Sequence, residues 1–436
     1  MRLEPNSWLC ALKRGYRKVQ TEEWSRSLVA RIRYGRGVAA LADQALVSGS
    51  NFATTIVLVR ALGLTEFGKY YIAYAAVLYA YSLQLSFITG PMLILAPLLD
   101  GEKKEQMLNG MLTMEALVSA LLFVVCIALG CGLHFFTNYY SWPCILAISC
   151  SVGAYQLQDW IRRYYFVTGR GNLAIVSDFI SYFVQLVLLA ALAWTKHLTL
   201  TSTFWVMALT SAAAFSMGPI TDRFHLSVRK LQETWSQCKK LSRDLLVAAQ
   251  VQWFGGQGIL LLGTWVVGVA DVGGLQATQS LAGPVNLVLT SLQNVLPIKI
   301  AELLKTKGTA AAYLYIRNAI LGSTAIFGLI LIPVAIFGHS ILRIVYGPAV
   351  VAFYLPMLLQ LVTIVVGLVP RLWGYFYRGL QDTRAILRAN ALYTIVGLGT
   401  LFIFGRIWGP AGVVMASLTG YVVLVAYYAF HWRRYK

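Results

Sequence analysis

Acidic residues and metal-binding patterns are scarce in this sequence. Asp and Glu together account for 17 of 436 residues, and all charged residues make up 12%. The five His and six Cys show neither HExxH nor CxxC spacing, so the sequence predicts no metal site, and the Cys are interpreted as small hydrophobic residues. The phosphate-binding pattern GxxxxGK[ST] is also missing, which disfavours ATP-driven transport within this chain.

Long apolar runs, by contrast, make up most of the chain. Hydrophobic residues amount to 58%, and the mean hydropathy is +0.66. A helix needs about 20 apolar residues to cross the roughly 30 Å hydrocarbon core of a bilayer. Twelve runs reach this length, at roughly 38–59, 70–96, 110–133, 143–165, 173–194, 200–220, 246–268, 274–297, 316–338, 353–377, 386–405 and 410–430. The sequence therefore predicts an all-α integral membrane protein with 12 transmembrane helices.

Basic residues fall almost entirely on alternate sides of these spans. All but five of the 36 Lys and Arg lie in or beside segments on the same side as the amino terminus. The positive-inside rule then predicts that both termini are cytoplasmic. The net charge of +19 is expected to meet anionic lipids of the inner leaflet and not nucleic acid.

A polar segment at 222–245 divides the predicted spans into two groups of six. We predict one lobe at 38–221 and a second at 246–430, joined by this segment as a cytoplasmic linker. Residues 1–37 form a basic cytoplasmic tail, either amphipathic on the inner leaflet or disordered. Residues 431–436 form a second basic tail.

The two groups of spans show an internal repeat. At an offset of 206 residues the aligned pairs include Gln44 with Gln250, Gly68 with Gly274, and Pro91 with Pro297. Because each group crosses the membrane six times, both lobes would share one orientation. The repeat therefore predicts a pseudo-two-fold axis along the membrane normal.

Two stretches of the sequence resemble a family of membrane transporters. Residues 42–75, ADQALVSGSNFATTIVLVRALGLTEFGKYYIAYA, are similar to the opening of the polysaccharide transporter family, the Wzx-like O-antigen flippase branch of the multidrug, oligosaccharidyl-lipid and polysaccharide exporter superfamily. Residues 375–423 are similar to its last three helices. The most specific piece, RALGLTEFGKY, contains Arg60, Gly63, Glu66 and Gly68.

The resemblance implies a transporter and not an enzyme. It implies that an undecaprenyl-diphosphate-linked oligosaccharide moves from the cytoplasmic to the periplasmic leaflet by alternating access, for surface polysaccharide synthesis. It also implies a bacterial inner-membrane location, with a polysaccharide polymerase and assembly proteins as further partners. No cofactor is expected apart from a coupling H⁺ or Na⁺. The outward loops, of about 5 to 15 residues, are too short for an extramembrane catalytic site.

Arg371 in span ten is the first candidate for substrate binding. Charged residues inside spans are costly and usually face a cavity or a partner. Arg371 follows Pro370, which removes a backbone donor and can kink the helix, and it shares a helical face with Tyr375 and Arg378. A cation there suits a diphosphate. The alternative is that Arg371 snorkels to the inner headgroups.

Acids inside the spans are candidates for ion coupling. Asp43 in span one could bind a proton or Na⁺, or it could pair with a neighbouring Arg. Asp159 and Arg163 have the spacing of an intrahelical ion pair, whereas Arg162 is a substrate-binding candidate at the cavity mouth. Two isolated acids without a predicted partner are Glu115 and Asp178.

Amide side chains inside the spans are the remaining substrate-binding candidates, because they suit a sugar. They are Gln44, Gln250, Gln279, Asn286 and Asn294. Span eight is the most polar, and Gly283-Pro284 would break it midway. The alternative role of these residues is hydrogen bonding between helices.

Two further predictions concern Arg60 and the function class. Arg60 is expected to anchor the chain at headgroups or to pair with Glu66, and Pro91 and Pro297 are expected to be structural.

The alternative function is a cation-coupled multidrug efflux antiporter of the same superfamily. Spans seven to twelve contain no intramembrane acid, and Arg371 would repel a cationic drug, so the sequence favours the lipid-linked glycan.

Overall fold

The computed structural model describes residues 7–137, 139–281, 296, 299–300, 302–380 and 382–432, with side chains from Asp43 on, and no β-strand occurs in these ranges. The helices are α1 Ser7–Gln84, α2 Gly90–Leu95, α3 Gly101–Thr137, α4 Trp142–Val167, α5 Gly171–Asp178, α6 Gln185–Trp194, α7 Leu200–Thr221, α8 Val228–Trp253, α9 Ile259–Val267, α10 Val269–Ser280, α11 Gly308–Tyr346, α12 Tyr354–Gly379 and α13 Thr383–Trp432. Three π-helical turns interrupt helices, at Leu85–Thr89, Phe179–Val184 and Phe254–Gly258.

Eight helical stretches in the described ranges are long and apolar enough to cross a membrane: Asp43–Leu98, Gly101–Phe136, Gly171–Trp194, Leu200–Thr221, Val228–Val267, Gly308–Tyr346, Pro348–Gly379 and Arg384–Trp432. The all-α prediction and a multi-pass chain are thereby confirmed. Helix α4 is not among them, because Gln156, Gln158 and Asp159 lower its hydropathy. The count of twelve spans, the two lobes and the side of the termini stay predictions.

Helix α1 contains the first two predicted spans and is interrupted between them at Gly63. Gly63 has φ 77° and ψ 170°, a left-handed conformation that glycine adopts without steric cost. Gly268, which joins α9 to α10 at the matching place between spans seven and eight, has φ 95° and ψ 167°. Gly409, with φ 56°, separates the last two predicted spans inside α13 in a similar way. The sequence predicted separate spans, and these single glycines supply the breaks.

The second part of α1 crosses α10 at a close contact between glycines. A Cβ atom on Gly68 would lie 2.1 Å from the backbone oxygen of Val269, and a Cβ atom on Gly273 would lie 2.4 Å from that of Leu64. The two contacts are reciprocal, because the same offset of 205 residues relates Leu64 to Val269 and Gly68 to Gly273. Such reciprocity is what a two-fold relation between two halves produces. It supports the predicted repeat, with an offset one residue shorter than 206.

We expect Gly68→Val to lower the free energy of unfolding by about 1–3 kcal/mol, the usual cost of overpacking a close contact. The new Cβ would meet the backbone of Val269, which cannot rotate away as a side chain would. The apparent melting temperature of the detergent-purified protein measures this effect. Gly322→Val in α11 is the matched control, since a Cβ there meets no atom within 4 Å. An equal loss in both variants would show that valine in a helix, and not the crossing, is responsible.

Helix α8 includes most of the segment predicted as a linker. Only 222–227 precede it outside a helix, and α8 then runs from Val228 without a break to Trp253. It packs on the first half of the chain: Ser242 Oγ donates to the Phe87 carbonyl at 2.9 Å, and the Trp235 ring lies 5.0 Å from that of Phe87. The amino-terminal tail is likewise helical from Ser7, and it extends the first span without an intervening break.

Candidate functional site

Helix α4 carries two arginines that hold acids from three helices together. The Arg162 guanidinium lies 2.5 Å from Asp43 of α1 and 2.5 Å from Asp178 of α5, and 3.9 Å from Asp159. Gln158 donates a further hydrogen bond to Asp178 at 3.0 Å. All three carboxylates are at most 3% exposed. The network therefore ties α1 and α5 to α4 in the interior of the first half.

Arg163 completes this network. Its Nε lies 2.6 Å from Asp159, which confirms the predicted i,i+4 pair, and its Nη2 donates to the Tyr81 hydroxyl at 2.7 Å. The network thus contains three carboxylates and two guanidinium groups. Arg162 is committed to acids and lines neither polar cavity described below, which contradicts its prediction as a substrate ligand. For Asp43, the pairing alternative is the one observed.

The entry to α5 is fixed to the end of α7 by a second, more exposed ion pair. Arg170 Nη1 lies 2.8 Å from Asp222 Oδ2. Partial burial raises the pKa of Asp222, but hydrogen bonds from Arg170, Thr221 and Tyr164 outweigh burial and hold the pKa below its usual value. This pair fixes the loop between α4 and α5, close to the end of α4 that carries Arg162.

A cavity of about 370 Å³, the first cavity, lies between α1, α4 and α10. Its lining side chains are uncharged, and most carry an amide, a hydroxyl or a phenol. The polar ones are Gln44, Ser48, Asn51, Thr54, Thr55, Tyr70, Tyr71, Tyr74, Tyr155, Tyr182, Gln185, Gln276, Gln279 and Ser280. Such a surface offers hydrogen bonds and ring faces to a sugar. Its described lining residues offer no charged group to an ion.

A cavity of about 250 Å³, the second cavity, lies between α9, α10, α12 and α13. It is lined by Arg371 together with neutral side chains that include Gln257, Gln279 and Gln360. Gln279 lines both cavities, and the Tyr71 hydroxyl of the first donates to Gln257 of the second. The predicted ligands Gln44, Gln279 and Arg371 are thus placed on two neighbouring polar cavities.

Arg371 differs from Arg162 in its surroundings. Its side chain is exposed to the second cavity, and within the described part of the chain no carboxylate lies within 4.0 Å of it. Arg378, two turns further along α12, lies over the Tyr375 ring at 5.6 Å and does not line the second cavity. Arg371 is therefore available to bind an anion that enters the cavity.

The remaining amide candidates either line neither polar cavity or lie outside the described residues. The side-chain N and O atoms of Gln250 are buried and have no hydrogen-bond partner among the residues the structure covers, and Gln250 lines neither polar cavity. Asn286, Asn294 and Pro297, together with the predicted break at Gly283-Pro284, lie outside the described residues. Pro91 lies near the start of α2, directly after a π-helical turn, and the Phe87 carbonyl, which its missing N–H cannot reach, accepts a hydrogen bond from Ser242 instead.

Arg60 joins the two halves of the chain and does not pair with Glu66. Its Nε donates to the Val345 carbonyl at 2.8 Å, and its Nη2 donates to the Ile344 carbonyl, at the carboxyl end of α11. A cation is favoured there by the helix dipole. Glu66 pairs instead with Lys69 at 2.7 Å. The predicted pair with Glu66 is wrong because the carbonyls of α11, 285 residues away, compete for the guanidinium.

Sequence reasoning missed the tyrosines of the first cavity and two glutamines of the second, Gln257 and Gln360. Gln360 accepts a hydrogen bond from Thr278 at 2.8 Å and donates one to the Leu275 carbonyl at 2.8 Å, which ties α12 to α10. The available signal was the run of Tyr70, Tyr71 and Tyr74, because three phenols within five residues are unusual in a lipid-facing span. Two π-helical turns adjoin the site, one after Asp178 and one containing Gln257, and such turns are frequent at functional sites.

The sequence matches no family model and no curated protein. Among solved structures, the lipid II flippase MurJ in an inward closed conformation is 13% identical, with a TM-score of 0.61 over 92% of this chain and 87% of that one. The MATE transporter VcmN of Vibrio cholerae is 13% identical, with a TM-score of 0.64 over 94% and 98%. A MOP superfamily transporter of Pyrococcus furiosus is 10% identical, with a TM-score of 0.60 over 91% and 94%. The chain has the MOP transporter fold.

The MOP fold is shared by a lipid flippase and by multidrug transporters, so the fold does not separate the two candidate functions. The two functions must therefore be distinguished by the residues that line the cavities of this chain. Within the described part of the chain, they include Arg371, which has no acidic partner there, and many neutral polar groups.

Proposed function

We propose that this chain is a flippase for an undecaprenyl-diphosphate-linked oligosaccharide, which it moves from the cytoplasmic to the periplasmic leaflet of a bacterial inner membrane. The observation that carries the proposal is Arg371, a cation that has no acidic partner among the described residues and that lines an otherwise uncharged cavity. A guanidinium presents several donors in a plane and binds phosphate oxygens well. The diphosphate is proposed to bind there.

The first cavity suits the glycan. Amide and hydroxyl groups supply donors and acceptors for sugar hydroxyls, and the phenol rings supply flat faces. Gln279 lines both cavities, so a diphosphate at Arg371 and its first sugars could occupy them together. Gln44 accordingly keeps its role as a proposed sugar ligand.

A third cavity, of about 240 Å³, suits a hydrocarbon chain. Its lining between α1, α3 and α4 is almost entirely apolar and includes Ile72, Leu122, Val125, Leu129 and Leu133. Leu129 and Leu133 are 65% and 51% exposed on the outer face of α3. A chain from the lipid could therefore reach this groove without crossing polar surface, as a polyprenyl tail requires.

Alternating access would separate and rejoin the two halves around these cavities. In this conformation the halves are in contact at the end that contains Gly63, through the Gly68 and Gly273 crossing and through Arg60.

Coupling to H⁺ or Na⁺ and assembly with a polysaccharide polymerase are part of the proposal. One charge moved through the membrane field supplies about 2.3 kcal/mol per 100 mV, enough to bias such a cycle without ATP.

A drug and cation antiporter is the second candidate, favoured by the MATE structures that share the fold. Such a transporter needs an acid that is free to attract a cation. In the described residues, the Asp43 carboxylate is 2% exposed and lies 2.5 Å from Arg162, and the buried acid Glu115 lines neither polar cavity, so neither acid faces a cation that enters these cavities. The flippase is therefore the function that the cavities support better.

The deciding experiment uses cells that lack this gene. We expect lipid-linked oligosaccharide to accumulate on the cytoplasmic leaflet and the native chain to restore it to the periplasmic leaflet, because a charged diphosphate and a polar glycan do not cross the bilayer core readily without a transporter. Leaflet-selective labelling of the glycan measures the distribution. Normal glycan distribution with increased sensitivity to cationic drugs would contradict the flippase and support the antiporter.

A further inference from the structure

Glu115 of α3 is a buried acid that the site described above does not use. It is fully buried, and its Oε1 accepts a hydrogen bond from Ser119 at 3.0 Å. Its Oε2 is buried and has no hydrogen-bond partner, and no Lys, Arg or His lies within 4.0 Å in the ranges covered by the structure. An ionised carboxylate in such a place would be very unfavourable, because neither a charge nor a sufficient set of donors compensates its lost hydration.

The groups around Glu115 are short of donors. The Gln84 side chain at the end of α1 is its neighbour, and it is also fully buried. Gln84 Nε2 donates to the Gln156 carbonyl of α4 at 2.7 Å, which leaves Gln84 Oε1 without a partner; Gln156 Oε1 is likewise unpaired. Two neighbouring side chains, Glu115 and Gln84, therefore each carry a buried oxygen without a partner in the described residues, and with Gln156 they define one cluster. A proton bound to the Glu115 carboxylate would supply an O–H donor to this cluster.

The charged groups near Glu115 also favour its protonated form. Asp159 of α4 is the charged group that acts on Glu115, and it opposes a second negative charge nearby. Arg163 pairs with Asp159 and Tyr81, so its guanidinium does not compensate a charge on Glu115. Helix α8 meets α3 at Gly110, where Thr234 lies, and its buried titratable group in that contact is Cys238, a neutral thiol.

We propose that Glu115 is a proton-binding site of this chain, occupied in the present conformation and separate from the Asp43 network. The proposal deepens the proposed function, on which it rests, by naming where a coupling proton binds. On release, the O–H bond of Glu115 breaks, the electron pair stays on the carboxylate and the proton passes to a water molecule that reaches the cluster. The π-helical turn Leu85–Thr89 begins directly after Gln84. Straightening this turn would move Gln84 away and open the cluster, since such turns are sites where helices bend.

The test compares the full-length chain with Glu115→Gln and Glu105→Gln in lipid nanodiscs. Glutamine resembles a protonated glutamic acid, so Glu115→Gln is expected to fold with an unchanged melting temperature. Glu105 is an exposed acid on the same helix and provides the matched control. Infrared spectra recorded in H₂O and D₂O detect the carbonyl band of a protonated carboxyl group. We expect this band in the native chain and in Glu105→Gln, and a loss of its Glu115 component in Glu115→Gln.

A second readout tests whether the proton takes part in transport. Glycan translocation into acidic and alkaline vesicles is expected to depend on pH for the native chain and for Glu105→Gln, and to lose that dependence in Glu115→Gln. An unchanged infrared band in Glu115→Gln would show that Glu115 is ionised and would overturn the site. A lost band with unchanged pH dependence would overturn its coupling role. The infrared result needs no substrate, so it stands even if the translocation assay shows that the chain is not a flippase.

Discussion

Arg371→Ala is expected to reduce glycan translocation by about 10- to 100-fold. A hydrogen bond to a charged group contributes about 1.5–3 kcal/mol, and each 1.4 kcal/mol is a factor of ten. Arg371 is the charged residue lining the second cavity, so no neighbouring lining side chain can replace its charge. The initial rate of translocation in the gene-deleted cells, measured by leaflet-selective labelling, gives the effect.

Arg378→Ala is the matched control for this variant. It removes the same side chain from the same helix two turns away, where the guanidinium lies over Tyr375 and outside the second cavity. We expect near-native translocation for Arg378→Ala and partial activity for Arg371→Lys, which keeps the charge but loses the planar donors. Native rates for Arg371→Ala, at equal amounts of protein in the membrane, would remove Arg371 from the substrate pathway and leave the proposal without its main support.

Arg162→Ala is expected to lower the free energy of unfolding by about 3–5 kcal/mol, the largest effect on stability that we expect. The guanidinium is 18% exposed and lies within 4.0 Å of Asp43, Asp159 and Asp178. Its removal would leave three buried carboxylates with Arg163 as their remaining cation in the network. The melting temperature and the yield of monodisperse protein after detergent extraction are the measurements.

Asp43→Asn is the informative counterpart of this variant. Asparagine keeps the size of Asp43 and one acceptor oxygen for Arg162, which also keeps Asp159 and Asp178 as partners, so this change should cost far less than removing Arg162. A melting temperature that falls equally in both variants would show that the contribution of Arg162 to stability depends on Asp43 alone and not on the whole network. If Arg162→Ala were as stable as the native chain, the ion pairs would contribute nothing measurable.

Several parts of the site followed from residue type alone. An arginine next to a proline in an apolar span, and amides at Gln44 and Gln279, are costly inside a membrane unless they face a cavity, and each of the three lines one. The Asp159 and Arg163 pair also followed from local sequence, because four residues in a helix set the distance between two side chains. These are local relations, which a helix imposes whatever surrounds it.

Contacts between distant parts of the chain could not be predicted in this way. Arg162 was expected at a cavity mouth, but Asp43 and Asp178 come from helices whose rotation about their own axes no sequence pattern specified. Arg60 was expected to anchor the chain at headgroups or to pair with Glu66 six residues away, and it meets the end of α11 instead. A long charged side chain reaches many partners, so only the packing of helices selects among them.

The sequence by itself determined that this is a helical, multi-pass membrane chain, because hydropathy and span length depend on composition along one helix and not on its neighbours. It also marked Gly63, the position where a left-handed backbone lets two spans meet. Only the tertiary structure decided which charges are paired and which are free. In a low-dielectric interior that choice depends on distances of a few ångströms between helices, and it separates Arg162, held by three aspartates, from Arg371, which faces an open cavity.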